Sequence, residues 1–94
     1  MTHEEKVKNL KLMHETMMNM NDEDAYYDWI VLGVPDEPME EDFEEIANND
    51  YKHCLMLFKN LLKAYKYAGI YDPTDEVYDF VSQYVDIERI DRVL

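Results

Sequence analysis

The chain has 94 residues, 47% of them apolar with twelve aromatics, and a formal net charge of −13. That length limits it to one domain with one modest core, and the apolar content is too high for an intrinsically disordered acidic tail. Two glycines and three prolines leave little material for hairpins. No apolar run approaches the length of a bilayer span, the opening Met-Thr-His-Glu-Glu-Lys lacks the basic and apolar regions expected of a secretion signal, and the single cysteine, Cys54, rules out an internal disulfide. The expected setting is the cytoplasm, in a bacterial or phage-infected host cell.

The first element is a helix over roughly residues 3–20. Thr2 followed by Glu5 fits a capping box, and Val7, Leu10, Met13, Met17 and Met20 recur at helical spacing. These methionines read as core on that stripe. Met18 lies off it and, together with Leu12, would form a small apolar patch able to support a homodimer. Asn21 or Asp22 can cap a short second helix carrying Ala25, Tyr26, Trp29 and Ile30. Gly33 is expected to end it in a left-handed conformation, and the prolines Pro35 and Pro38 place a turn over Val34–Pro38.

From Met39 to Ala68 the apolar phase holds through Phe43, Ile46, Ala47, Cys54, Leu55, Phe58, Leu61, Leu62 and Tyr65. Asn48, Asn49 and Asp50 are poor helix-interior residues, but the stripe resumes in register after them. One long helix ending at Gly69 is therefore the expectation. Asp72-Pro73-Thr74-Asp75 then supplies a cap, a proline at the first helical position and an acid at the third. Val77, Phe80, Val81, Tyr84 and Ile87 mark a last helix that extends toward Ile90 and Leu94. The expected fold is all-α: a small single-domain bundle, residues 1–94, of about four helices with one long central helix.

The charge is concentrated rather than spread. Residues 12–51 hold thirteen acidic side chains and no lysine or arginine, while the flanks nearly cancel themselves. Within Asp36–Glu45 there are seven carboxylates in ten residues. If helical, those ten residues cover about 15 Å, a charge density near the one per ~1.7 Å of duplex DNA. Pairs such as Glu37/Glu41, Glu40/Glu44 and Glu41/Glu45 repel by ~0.2–0.5 kcal/mol each, partly offset by the positive end of the helix dipole. An acidic face of this kind can be simply solvated. It can also meet a basic partner surface, giving fast and salt-dependent association. A third possibility is internal: Lys52, Lys59, Lys63 and Lys66 lie on one side of the long helix and could face the acidic second helix across the bundle. The lysines are too sparse on so acidic a chain to argue for direct nucleic-acid binding.

Catalytic and metal chemistry find little footing. His53 and Cys54 diverge on a helix and cannot chelate together, Asp50 with His53 is half a site, and no Glu-x-x-His pair is present. Asp22-x-Asp24 begins like a calcium loop, but Tyr26 occupies a ligand position. The only serine, Ser82, does not follow an aspartate at a helix start, which excludes the carrier-protein arrangement for a phosphopantetheine arm. Gly33 and Gly69 are isolated, so there is no phosphate loop. Cys54 and His14 form a conceivable nucleophile–base pair, but Cys54 on the apolar stripe reads as buried and inert.

The sequence thus points to a non-enzymatic module without metal or cofactor, no membrane contact, and a protein partner with a basic, nucleic-acid-binding surface. An inhibitor acting as a nucleic-acid mimic, of the anti-restriction or anti-CRISPR kind, or an immunity or antitoxin protein, would use such a surface. The expected contacts are Asp24, Asp28, Asp36, Glu37, Glu40, Glu41, Glu44 and Glu45, with Tyr27 and Trp29 as aromatic anchors. The competing expectation is a structural homo-oligomer or accessory subunit using apolar seams on the first or last helix. A small-ligand or metal sensor is a third.

Overall fold

The computed structural model describes residues 1–19, 23–65 and 74–83, with residues 64 and 65 described by backbone alone. All regular structure among them is helical: α1 (His3–Met18), α2 (Glu23–Leu32), α3 (Glu40–Asn49), α4 (Tyr51–Tyr65) and α5 (Asp75–Ser82). The expectations placed on Met20, Asn21, Asp22, Lys66, Ala68, Gly69, Asp72, Pro73 and the stretch from Tyr84 to Leu94 fall outside the described residues.

Helix α1 starts as its sequence dictates. The Thr2 hydroxyl accepts from the Glu5 amide at 3.1 Å, and the Thr2 amide donates to the Glu5 carboxylate at 3.4 Å. Val7, Leu10, Met13 and Met17 are buried as their spacing predicts, but so are Leu12, His14 and Thr16. At about 100° per residue this set wraps more than half the helix. Thr16 satisfies its buried hydroxyl by donating to the Leu12 carbonyl at 2.7 Å. The reason for so wide a buried surface is position, because α1 packs against all four other helices. The central element is therefore α1 and not a long helix over 39–68. The expected Met18–Leu12 patch does not form, since Met18 is exposed but Leu12 is buried and lies beside Phe80 in the groove between α1 and α5.

Helix α2 buries Ala25 and Trp29 and ends at Gly33. The Trp29 carbonyl accepts from both the Gly33 amide at 2.8 Å and the Val34 amide at 3.2 Å. Gly33 does not take the left-handed conformation expected of it. A Cβ there would stand 3.0 Å from Leu57 Cδ2 and 3.0 Å from the Trp29 carbonyl oxygen, so the glycine answers a close approach of α4.

The expected long helix is two. Asp50 leaves helical geometry at φ −132°, ψ 16°, and α4 begins anew at Tyr51. Asp50 still donates to the Ile46 carbonyl at 2.8 Å and its own carbonyl accepts from Cys54 at 3.0 Å. One residue thus interrupts the helix while the apolar phase survives, which is why periodicity alone reads the segment as continuous. Asn48, Asn49 and Asp50 favour such local departures because their short polar side chains compete with helical bonding. At the start of α5 the cap is Thr74: its hydroxyl accepts from the Val77 amide at 3.2 Å.

Four rings tie the layers together. His14 of α1 meets Trp29 of α2, Trp29 stands edge-on to Phe58 of α4 at 6.0 Å, and Phe58 lies 5.7 Å from Phe80 of α5. Trp29 and Phe58 are fully buried. Such pairs add about 0.5–1.5 kcal/mol each beyond the area they bury.

Candidate functional site

The acidic stretch comes to the surface on three elements. On α2, Asp24 is exposed and Asp28 half-buried, and neither is a free carboxylate, since each is engaged within the fold. In the turn after α2, Asp36 and Glu37 are exposed. On α3, Phe43 and Ala47 bury and Ile46 half-buries, so helical geometry turns Glu41, Glu44 and Glu45 toward solvent. The ten-residue segment from Asp36 is not one helix, however. It is a turn followed by a helix, and Asp42 closes the start of that helix by accepting from the Met39 amide at 2.8 Å.

Two carboxylates of the set have defined partners. The Tyr26 hydroxyl donates to Asp36 Oδ1 at 3.0 Å and reaches its carbonyl at 3.4 Å, pinning the turn back onto α2. Burial, that hydrogen bond and the charges of Asp36 and Glu37 raise the Tyr26 hydroxyl above its ordinary pKa. Glu40 is held by Lys11 of α1, with Nζ at 2.7 Å from Oε2 and 3.0 Å from Oε1. Glu41, Glu44 and Glu45 make no ion pair among the described residues. Glu44 lines a groove of about 320 Å³ between α1 and α3 with Lys8 and Lys11. On α4, Lys52 and Lys63 are exposed and Lys59 is half-buried and engaged within the fold.

The two expected anchors separate. Tyr27 is 66% exposed. Trp29 has no exposed surface at all and cannot touch a partner of the folded chain. Its indole Nε1 donates to His14 Nδ1 at 3.1 Å, so the residue proposed as an anchor is a core residue with its one polar atom satisfied.

His14 and Cys54 do not make a nucleophile–base pair. His14 Nδ1 is occupied by the indole, and burial lowers the imidazole pKa against the opposing pull of Asp36. Cys54 is buried, and desolvation followed by the Asp50 charge pushes its thiol up to about 11. His53 is exposed on α4. Among the described residues, no three His, Cys, Asp or Glu side chains converge on a point where a metal ion could sit. No described helix is long and apolar enough to cross a membrane.

The fold also places residues that spacing did not single out. Val31, Leu32, Met39 and Met56 are large, apolar and more than half exposed. A signal for two of them is present in the run Trp29–Leu32: four consecutive apolar residues on one helix cannot all face one core. Comparison with protein-family models, with curated proteins and with solved structures finds no match for this chain.

Proposed function

We propose that the protein is a non-enzymatic binding module whose acidic α2–α3 surface occupies a basic, nucleic-acid-binding surface of a partner protein. In this reading it acts as an inhibitor, as anti-restriction and anti-CRISPR nucleic-acid mimics or immunity and antitoxin proteins do. The observation that carries the proposal is electrostatic. Glu37, Glu41, Glu44 and Glu45 are exposed with no ion pair among the described residues, and five acids lie within the six residues Glu40–Glu45, about 9 Å of helix axis. With Glu40 paired to Lys11 and Asp42 bound to the Met39 amide, the three that remain outward stand about 3 Å apart along the axis, close to the ~3.4 Å per charge of one DNA strand. Asp42 and Glu40 hold the helix start and its contact to α1, leaving Glu41, Glu44 and Glu45 as the contacts on the outer surface.

The test is capture from host extract with native protein and with a Glu41→Gln/Glu44→Gln/Glu45→Gln variant, each at low and moderate salt. The expected result is a basic nucleic-acid-binding protein retained by the native chain, lost with the variant or with salt, and displaced by duplex DNA. Equal retention by both proteins, or indifference to DNA, refutes the reading.

A further inference from the structure

Helix α2 has an outer surface that its position in the bundle does not explain. Ala25 and Trp29 fill its core side, and Leu57 closes on Gly33 just beyond its end. On the opposite side, Tyr27 and Val31 stand four apart and form one row, at 66% and 59% exposure. Leu32, 58% exposed, lies on the far flank. Helical geometry puts Asp24 and Asp28 between those two apolar edges. Single exposed apolar residues need no explanation, but three large ones on one ten-residue helix exceed ordinary scatter.

We infer that this face of α2 docks a cationic amphipathic segment of another protein, one that presents apolar side chains between lysines or arginines. The inference rests on the acidic-surface reading above and specifies what its partner must carry at this point. Charge decides among the occupants. The charged residues of α2 are Glu23, Asp24 and Asp28, the following turn adds Asp36 and Glu37, and no lysine or arginine occurs from Leu12 to Tyr51. Nucleic acid and anionic membrane are repelled by such a surface, and an interfacial membrane helix carries lysine or arginine on its polar side rather than acids. A cationic segment gains on both counts, with apolar side chains against Tyr27, Val31 and Leu32 and ammonium or guanidinium groups near the exposed Glu23 and Glu37. From Asp24 to Leu32 the strip is about 12 Å long, enough for about two turns of a docked helix. Lysine-rich protein surfaces without apolar side chains satisfy only half of it. Aromatic and aliphatic anchors in such interfaces carry most of the affinity, with the charges setting encounter and orientation.

The experiment uses two synthetic peptides of equal charge, a helical lysine–leucine amphipath and a lysine–serine sequence, titrated into the full chain by calorimetry. The lysine–leucine peptide is expected to bind about tenfold more tightly or better. Tyr27→Gln/Val31→Gln/Leu32→Gln should bring that ratio to about one while leaving the lysine–serine affinity and the helical circular dichroism unchanged. Met56→Gln, an exposed apolar residue on α4, should leave the ratio untouched. A ratio that survives the α2 variant, or falls equally with Met56→Gln, overturns the inference. If the lysine–serine peptide binds and the leucines add nothing, the docking strip fails but the acidic surface stands. If neither peptide binds at low salt, both fail. Sedimentation equilibrium supplies the remaining arm: a dimer of the native chain that the α2 variant dissolves would mean that a second copy covers this face, and would also overturn the inference.

Discussion

Replacing His14 by glutamine should remove a pH dependence of stability that the native chain shows on the acid side of neutrality. His14 is 6% exposed, accepts the Trp29 indole proton at 3.1 Å and has the Tyr26 and Phe43 rings about it at 6.0 and 6.2 Å. Protonating Nδ1 would delete that hydrogen bond and place a cation among aromatic rings, which is why the folded-state pKa lies below the ordinary 6.5 despite the attraction of Asp36. The titratable groups that face it are thus Asp36, from the turn, and Tyr26, from α2. The sign follows from linkage. The unfolded chain binds the proton more readily, so this site's contribution is fully present above about pH 6.5 and is lost as pH falls through the depressed folded value. For one site the slope cannot exceed about 1.4 kcal/mol per pH unit. At pH 5.5 the loss is therefore at most about 1.4 kcal/mol, a shift of roughly 1 M in a urea midpoint at ~1–2 kcal/mol per molar. Trp29 is the chain's only tryptophan, so its fluorescence reports urea unfolding at the site itself. Glutamine keeps an acceptor for the indole but cannot titrate. The difference in stability between native chain and His14→Gln should narrow from pH 7.5 to 5.5. Parallel pH profiles for the two proteins would refute the assignment of His14 as a neutral, buried acceptor.

Three further outcomes follow from the packing. Thr2→Ala removes one side of the α1 capping box and should cost about 1 kcal/mol, read as a lowered urea midpoint. Phe58→Ala empties the position between Trp29 and Phe80 and should cost about 3–5 kcal/mol, leaving a broad or absent thermal transition, where a small domain has ~5–15 kcal/mol in total. Cys54, buried and pushed up to about 11, should resist iodoacetamide at pH 8 in the native chain and react at the ordinary thiol rate in denaturant; equal rates in both states, measured by mass spectrometry, would contradict its burial.

Some of this molecule was legible residue by residue. The Thr2–Glu5 cap, the buried rows Val7–Leu10–Met13–Met17 and Phe43–Ala47, and the inward set Cys54, Phe58, Leu61 and Leu62 follow from helical spacing and capping chemistry, both of which are local. The other site residues depend on neighbours far away in the chain. Trp29 is expected as an anchor, although a tryptophan in such a place is more often core, and His14, fifteen residues earlier, decides for core by accepting its indole proton. Asp36 reads as one more exposed acid until Tyr26 is found holding it. Gly33 reads as a left-handed stop, and only the approach of Leu57 reveals that the space for a Cβ is what matters.

The amino-acid order alone determined an all-helical chain, its main caps and apolar rows, and a block of negative charge with no cation inside it, because propensity, periodicity and charge are properties of short windows. Tertiary structure alone decided that α1 is the central helix, that the helix breaks at Asp50, that Trp29 turns inward and that Tyr27, Val31 and Leu32 are left in solvent. A helix carries its pattern wherever it goes. Which side of that pattern finds a neighbour is settled only when the other helices close around it.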